Sequence, residues 1–240
     1  MATSISISGF LHSLVVGLFL LSLLPSGTLG QTQQESLVTA NPSSKFARKG
    51  HIGVHASAPS IGALERGAYG PKDAEGPLLG YLACHKLVPT KKDAVLYGFN
   101  LRSPVMEITA LATNERMAVA PGQLGNFLGP MSKSFHFPRH TRSSSAAGVG
   151  PQHDPEQAML YETTVFSYNP DNEEIQVQWA NPDGNYVDVE IALFKGRLYY
   201  TGDIHEYRKY LNTGGGGVKA GDHVEVEHVT YKWYPLVNRT

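Results

Sequence analysis

Residues 160–201 read LYETTVFSYNPDNEEIQVQWANPDGNYVDVEIALFKGRLYYT. Two Asn-Pro-Asp corners, beginning at Asn169 and at Asn181, divide the stretch. Proline presets φ for the first corner of a type I turn, and the asparagine before it bonds back to the turn backbone. Asn172 or Gly184 then takes the left-handed position that closes a hairpin with a bulge. Between the corners Ile175, Val177 and Trp179 alternate with Gln176 and Gln178. After the second corner Val187, Val189, Ile191 and Leu193 alternate with Tyr186, Asp188 and Glu190. A period of two over both segments means one buried face and one wet face. Lys195 and Gly196 turn the chain into Arg197–Thr201, so a four-stranded meander is expected. The phase of Trp179 matches that of Ile175 and Val177, which assigns it to the core.

Working outward, Leu78–Val88, Ala94–Leu101 and Val105–Thr113 are short apolar runs separated by Pro- and Ser-containing turns. Strands recurring about every ten residues suit an all-β sandwich or barrel. The fold expected here is an antiparallel β-sandwich, jelly-roll-like, over residues 76–237, with one short helix near 203–211. Asp203 caps that helix, Glu206 supplies the acidic form of a capping box, and Ile204, Tyr207 and Leu211 share a face. Residues His223–Tyr234 read as a last strand whose apolar phase changes after His228, the mark of a bulge or a crossing between sheets. Residues 132–157 hold Pro138, three serines from Ser143, Gly148, Gly150 and Pro151, and read as a long loop, either disordered or functional. Residues 31–75, rich in Ser, Ala, Gly and Pro, read as an irregular leading segment.

Residues 1–30 carry no Lys, Arg, Asp or Glu, and Phe10–Leu24 is almost unbroken apolar sequence. The run is shorter than the roughly 20 residues a membrane span needs and suits the core of a signal peptide. Pro25, Ser26 and Gly27 break it, and Thr28 and Gly30 place small residues before a cut at Gln31. The expected location is therefore secreted and extracellular, with no membrane attachment after cleavage. Arg48-Lys49 forms a dibasic pair that reads either as a processing site or as a solvated loop. The chain of 240 residues has a formal net charge of −1. That balance argues against nucleic acid, whose binding displaces counterions with a basic surface. Cys84 is the only cysteine, so no intrachain disulfide forms, and its apolar surroundings point to a packed thiol.

Three segments together carry a resemblance: Gly80-Tyr81 after two leucines, Gln178–Gly184, and Leu198–Asp203 followed by Tyr207. They resemble a group of secreted β-rich proteins of mushroom-forming fungi, in which a QW-x-N-x-DG hairpin precedes a short strand ending in Gly-Asp. The likeness covers roughly residues 76–235 and departs from the group in the basic, Ser-rich stretch around His140. It implies a secreted β protein and transfers no catalytic residue.

Chemistry-bearing motifs are sparse. His51 with His55 and His136 with His140 have the H-x3-H spacing that on a helix would suit zinc, but Gly53 and Pro138 interrupt them. There is no HExxH, no nucleophile elbow and no phosphate-cradling glycine loop, so no metal, cofactor or catalytic residue is assigned. Asp188 with Glu190, and Glu225 with Glu227, share strand faces, an arrangement that ordinarily solvates a sheet. Aromatic residues are the remaining lead. Tyr186 lies on a polar face, Tyr199 is adjacent to Tyr200 on the opposite face, and Trp233 lies near the end of the chain. Exposed rings on a flat sheet suit sugars, so Tyr186, Tyr199 and Trp233 are the ligand-binding candidates, with extracellular, cell-wall carbohydrate as the partner class. The function expected is a secreted, non-enzymatic β-sandwich module. The alternatives are a secreted hydrolase with dispersed carboxylate or metal chemistry, and a structural or interaction protein. N-terminal sequencing of exported material is expected to start at Gln31, or at Gly50 if the dibasic pair is processed; a start at Met1 in the membrane fraction overturns the leader.

Overall fold

The computed structural model describes residues 46–57 and 75–236. The strands are β1 (Arg48–Ser57), β2 (Glu75–Ala83), β3 (Lys86–Val88), β4 (Tyr97–Phe99), β5 (Thr109–Ala110), β6 (Arg116–Pro121), β7 (Phe135–Thr141) and β8 (Gln152–Asp154). They continue with β9 (Met159–Tyr161), β10 (Phe166–Asn169), β11 (Glu174–Ala180), β12 (Tyr186–Asp188), β13 (Glu190–Phe194), β14 (Arg197–Thr201) and β15 (Glu227–Pro235). Helix α1 (Ile204–Asn212) lies between β14 and β15 in sequence. The expected cleavage site at Gln31 lies outside the described residues. Among those residues no helix is long and apolar enough to cross a membrane.

Eight strands close on themselves as an antiparallel barrel, in the order β1, β4, β5, β6, β7, β14, β13, β15 and back to β1. Two pairings close the ring. β15 pairs with β1 from Gly50↔Pro235 to Ala56↔Val229, and β14 pairs with β7 through Tyr200↔His136 and Thr201↔Phe135. The β-sandwich expected from the sequence is therefore overturned. A sandwich keeps two sheets with open edges, whereas here the ladder runs without a break around the ring. The strands that make the difference sit where irregular chain was expected, β1 within 31–75 and β7 within 132–157. Without them the remaining strands have the edges of a sandwich.

The meander is also modified. β10 pairs with β11, and β11 with β12 as far as Gln178↔Asp188, as the alternation requires. The chain then leaves β11, and β13 pairs with β14 on one side and β15 on the other. β15 thus inserts between β11 and β13. At the first Asn-Pro-Asp corner the left-handed residue is Glu173 (φ 57°), not Asn172; at the second it is Gly184 (φ 84°).

Inward-facing residues fill the barrel: Ile52 and Val54 of β1, Tyr97 and Phe99 of β4, Tyr200 of β14, and Val229, Tyr231 and Trp233 of β15, with Trp179 and Phe166 packed on the same core. The interior of an eight-stranded barrel is just wide enough for side chains to occupy it. Its buried hydroxyls find partners within the core, as where Tyr200 and Tyr231 share a hydrogen bond of 3.1 Å. Helix α1 forms where expected. Asp203 accepts from the amides of His205 and Glu206, and Ile204, Tyr207 and Leu211 are buried. They pack on a second apolar cluster that includes Phe135, Phe194, Val224 and Val226. Arg48 and Lys49 are strand residues, opposite Phe99 and Gly98 of β4, so the dibasic pair is part of the barrel wall and not a loop.

The second corner also anchors a distant loop. Asn181 is buried, its side-chain oxygen accepts from the amide of Leu128, and its amide nitrogen donates to the carbonyl of Leu128. Trp179 adds a bond from Nε1 to the carbonyl of Asn126. Asp183, by contrast, is exposed and bonds only to Asn185. Asn181→Ala leaves two buried backbone groups unpaired and is expected to cost about 2 to 4 kcal/mol. Asp183→Asn, which keeps an acceptor at the turn, is expected to stay within about 0.5 kcal/mol of the native protein. Denaturation midpoints of the two variants check the contrast; equal losses would refute it.

Candidate functional site

A discontinuity in the wall generates a feature with the shape of a binding site. One edge of β14 has two successive partners: Arg197 pairs with Lys86 of β3, and Tyr200 and Thr201 pair with β7. Where β3 and β7 diverge, an open cleft of about 170 Å³ forms, lined by His85, Phe137, Pro138, Arg139, Arg197, Leu198 and Tyr199. It is smaller than the pockets of several hundred Å³ that enclose drug-sized ligands, and suits a single ring or charged group.

Local structure explains each wall. Ala83↔Lys86 closes the β2–β3 hairpin around the two-residue turn Cys84-His85. Cys84 occupies the first corner at φ 62°, a position usually given to glycine, and this turn brings His85 to the edge of β14. There the amide of Leu198 donates to the carbonyl of His85 at 3.3 Å. On β7, outward-facing Phe137 and Arg139 flank Pro138, and the Arg139 guanidinium lies 5.4 Å from the Phe137 ring centre. Tyr199 is half-buried and held among rings, 5.6 Å from Phe137, 5.8 Å from Phe135 and 5.5 Å from Tyr207 of α1. The helix thereby fixes the aromatic wall of the cleft.

The electrostatics of the cleft are one-sided. Partial burial lowers the pKa of His85, and the positive charges of Arg139, Arg197 and Lys86 lower it further, so the imidazole is neutral at neutral pH. The ion pairs among the described residues lie elsewhere, as Arg116–Glu107, His140–Glu115 and Lys209–Glu206. No Asp or Glu lines the cleft. Burial pushes the Tyr199 hydroxyl up, partly opposed by Arg197.

Of the three aromatic candidates, only Tyr199 is in this cleft. Tyr186 is exposed on β12, and its hydroxyl lies against Gly148, where a Cβ would sit only 1.8 Å away. Trp233 is 1% exposed inside the barrel, with its ring 4.6 Å from Phe99. The histidine pairs do not converge. His51 meets the carbonyl of Val95, His55 the hydroxyl of Tyr234, His136 the ring of Trp179, and His140 the hydroxyl of Tyr97. Among the described residues no group of three or more His, Cys, Asp or Glu is placed to hold a metal. The carboxylates of Asp188 and Glu190 part company, one to Gln178 and the other to the first amide of α1. The sequence reading missed Arg139, Arg197, His85 and Phe137. The alternation of Phe135, Phe137 and Arg139 on one face was the available signal for β7. Comparison with family models, curated proteins and solved structures finds no match.

The carboxyl most like a catalytic acid lies outside the cleft. Glu162 is 3% exposed, and burial pushes its pKa up to about 7, opposed by a bond from the amide of Ala180. Oε1 of the same carboxyl makes no hydrogen bond, and the residue is buried. Its effect is on stability. A pKa raised on folding gives a contribution that is full below the unfolded value near 4.5 and is lost as pH rises through about 7. His136 acts in the opposite sense. Burial pushes it down to about 3, so its contribution is full above the unfolded value of 6.5 and falls away as pH drops toward 3. Glu162→Gln imitates the neutral carboxyl. It is expected to match the native protein near pH 4.5 and to exceed it above pH 7 by about 3 kcal/mol, on the scale of 1.4 kcal/mol per pKa unit. Urea unfolding from about pH 4 to 8.5 checks this; parallel pH profiles for the two proteins would contradict it.

Proposed function

We propose that the barrel is a non-enzymatic binding module of a secreted protein, and that the cleft between β3, β7 and β14 receives a saccharide from an extracellular carbohydrate. The observation that carries this reading is the composition of the cleft: two aromatic residues, Phe137 and Tyr199, with arginine and histidine around them and neither a carboxylate nor an aliphatic hydroxyl or thiol nucleophile in the lining. Glycoside hydrolysis ordinarily needs two carboxyls facing each other across the bond. A ring packed on fixed aromatic side chains, with side-chain N–H groups at its rim, needs only what is present here. Tyr199 is held by the α1 cluster, so little side-chain freedom remains to be lost on binding.

A glycan array and polysaccharide pull-down with the purified protein test the reading, followed by titration of the captured saccharide. His85→Trp, which fills the mouth of the cleft from an accessible turn, is expected to weaken binding at least about tenfold, or about 1.4 kcal/mol, with the thermal midpoint nearly unchanged. Undiminished binding by this variant would move the site elsewhere. Turnover of the saccharide would replace the binding reading with an enzymatic one.

A further inference from the structure

The cleft holds more positive charge than the fold requires. Lys86 and Arg197 stand directly opposite each other on β3 and β14. Like charges in that position are unfavourable. Arg139 approaches from β7, so cations from three strands surround His85. This is not the overflow of a basic protein, because the chain has 20 Lys and Arg against 21 Asp and Glu. Acidic residues are available, yet none reaches Arg139 or Arg197 among the described residues. Glu115, which acts on the adjacent Cys84, is paired with His140.

Geometry makes the two arginines suited to an oxyanion. Arg139 lies over the Phe137 ring, its guanidinium carbon 5.4 Å from the ring centre, and no carboxylate among the described residues takes up its N–H groups. Arg197 lies in the same cleft beside Tyr199. A guanidinium edge matches the two oxygens of a carboxylate or sulfate, and such bonds are about twice as strong as neutral ones. An anion placed between them relieves the repulsion among Arg139, Arg197 and Lys86, which a neutral sugar does not.

We propose that the cleft is an oxyanion site, and that its ligand is an acidic saccharide whose carboxylate or sulfate group is gripped by Arg139 and Arg197 while its ring lies against Phe137 and Tyr199. This rests on the cleft being the saccharide site. Calorimetric titration at low salt compares a galacturonate tetramer, galactose 6-sulfate, a neutral galactose tetramer and inorganic sulfate. At least one acidic saccharide is expected to bind ten or more times tighter than the neutral tetramer, and the better of the two distinguishes a uronate from a sulfate ester. Arg139→Gln and Arg197→Gln are each expected to weaken that binding about tenfold, with the double variant reduced to the level of the neutral sugar. Both arginines are exposed, so the variants are expected to keep the native thermal midpoint. Binding of the neutral tetramer as tight as that of both acidic sugars, and indifferent to both substitutions, overturns the oxyanion site and leaves the saccharide reading standing. Binding of inorganic sulfate that depends on the arginines, with no saccharide bound, supports the oxyanion site and overturns the saccharide reading. Binding of none of the four probes overturns both.

Discussion

The ladder between β1 and β15 is the constraint on which the rest depends. β1 is bonded on both sides: to β15 along one edge, and to β4 and then β2 along the other. With β1 in place the eight-stranded ring itself has no free edge, and its backbone N–H and C=O groups are paired around the circle. The close approach leaves its trace in two glycines of β1. A Cβ at Gly50 would fall 2.3 Å from the carbonyl oxygen of Tyr234, and one at Gly53 would fall 2.3 Å from its ring. Their missing side chains let Tyr234 fold back over the strand it pairs with. His55, on the same strand, then accepts or donates a bond of 2.7 Å with the Tyr234 hydroxyl.

The filled interior of the barrel limits where a ligand can go. The interior is occupied by Trp179, Trp233, Tyr97, Tyr200, Tyr231 and Phe99, all essentially without solvent contact. Some eight-stranded barrels hold one small ligand in their lumen; this one is filled with its own side chains. The cleft proposed as the binding site lies instead on the outside wall, at the place where β14 changes partners and the sheet splits. The helix connects cleft and barrel, because the Tyr207 that seats α1 on the barrel is also a neighbour of Tyr199 in the cleft.

What could be read in the sequence was what local patterning determines. Ile175, Val177 and Trp179 alternate into the core, Asp203 caps α1, and Val229 and Tyr231 mark the inward face of β15, a phase that Trp233 shares although it was read as a ligand-binding ring. β1 and β7 were obscured by their composition. Gly50 and Gly53 dilute the alternation of Ile52 and Val54, and Pro138 removes a donor from the middle of β7, a residue that argues against an inner strand. The Ser-rich stretch beyond β7 looked unstructured because its order is polar. Ser145 and Thr163 bond to each other, and Thr163 donates to Glu107, which also pairs with Arg116. That network joins residues far apart in sequence, and no local period announces it. The arginines of the cleft were hidden for the same reason. Arg139 and Arg197 are unremarkable in their own segments and become a pair only because β3 and β7 share one edge of β14.

The placement of β1 and β15 has a consequence for how the molecule comes into being. The bond between His55 and Tyr234 spans 179 positions in the chain. Contacts of that separation form late, since the loop they enclose must first be ordered, and folds dominated by them are slow. While the chain is being made, the edge of β1 that takes β15 waits until the residues between the two strands have been made, and the hairpins β6–β7 and β13–β14 have time to assemble first. The ring is thus closed by β15, and the period before closure is when that edge of β1 is most open to the wrong partner.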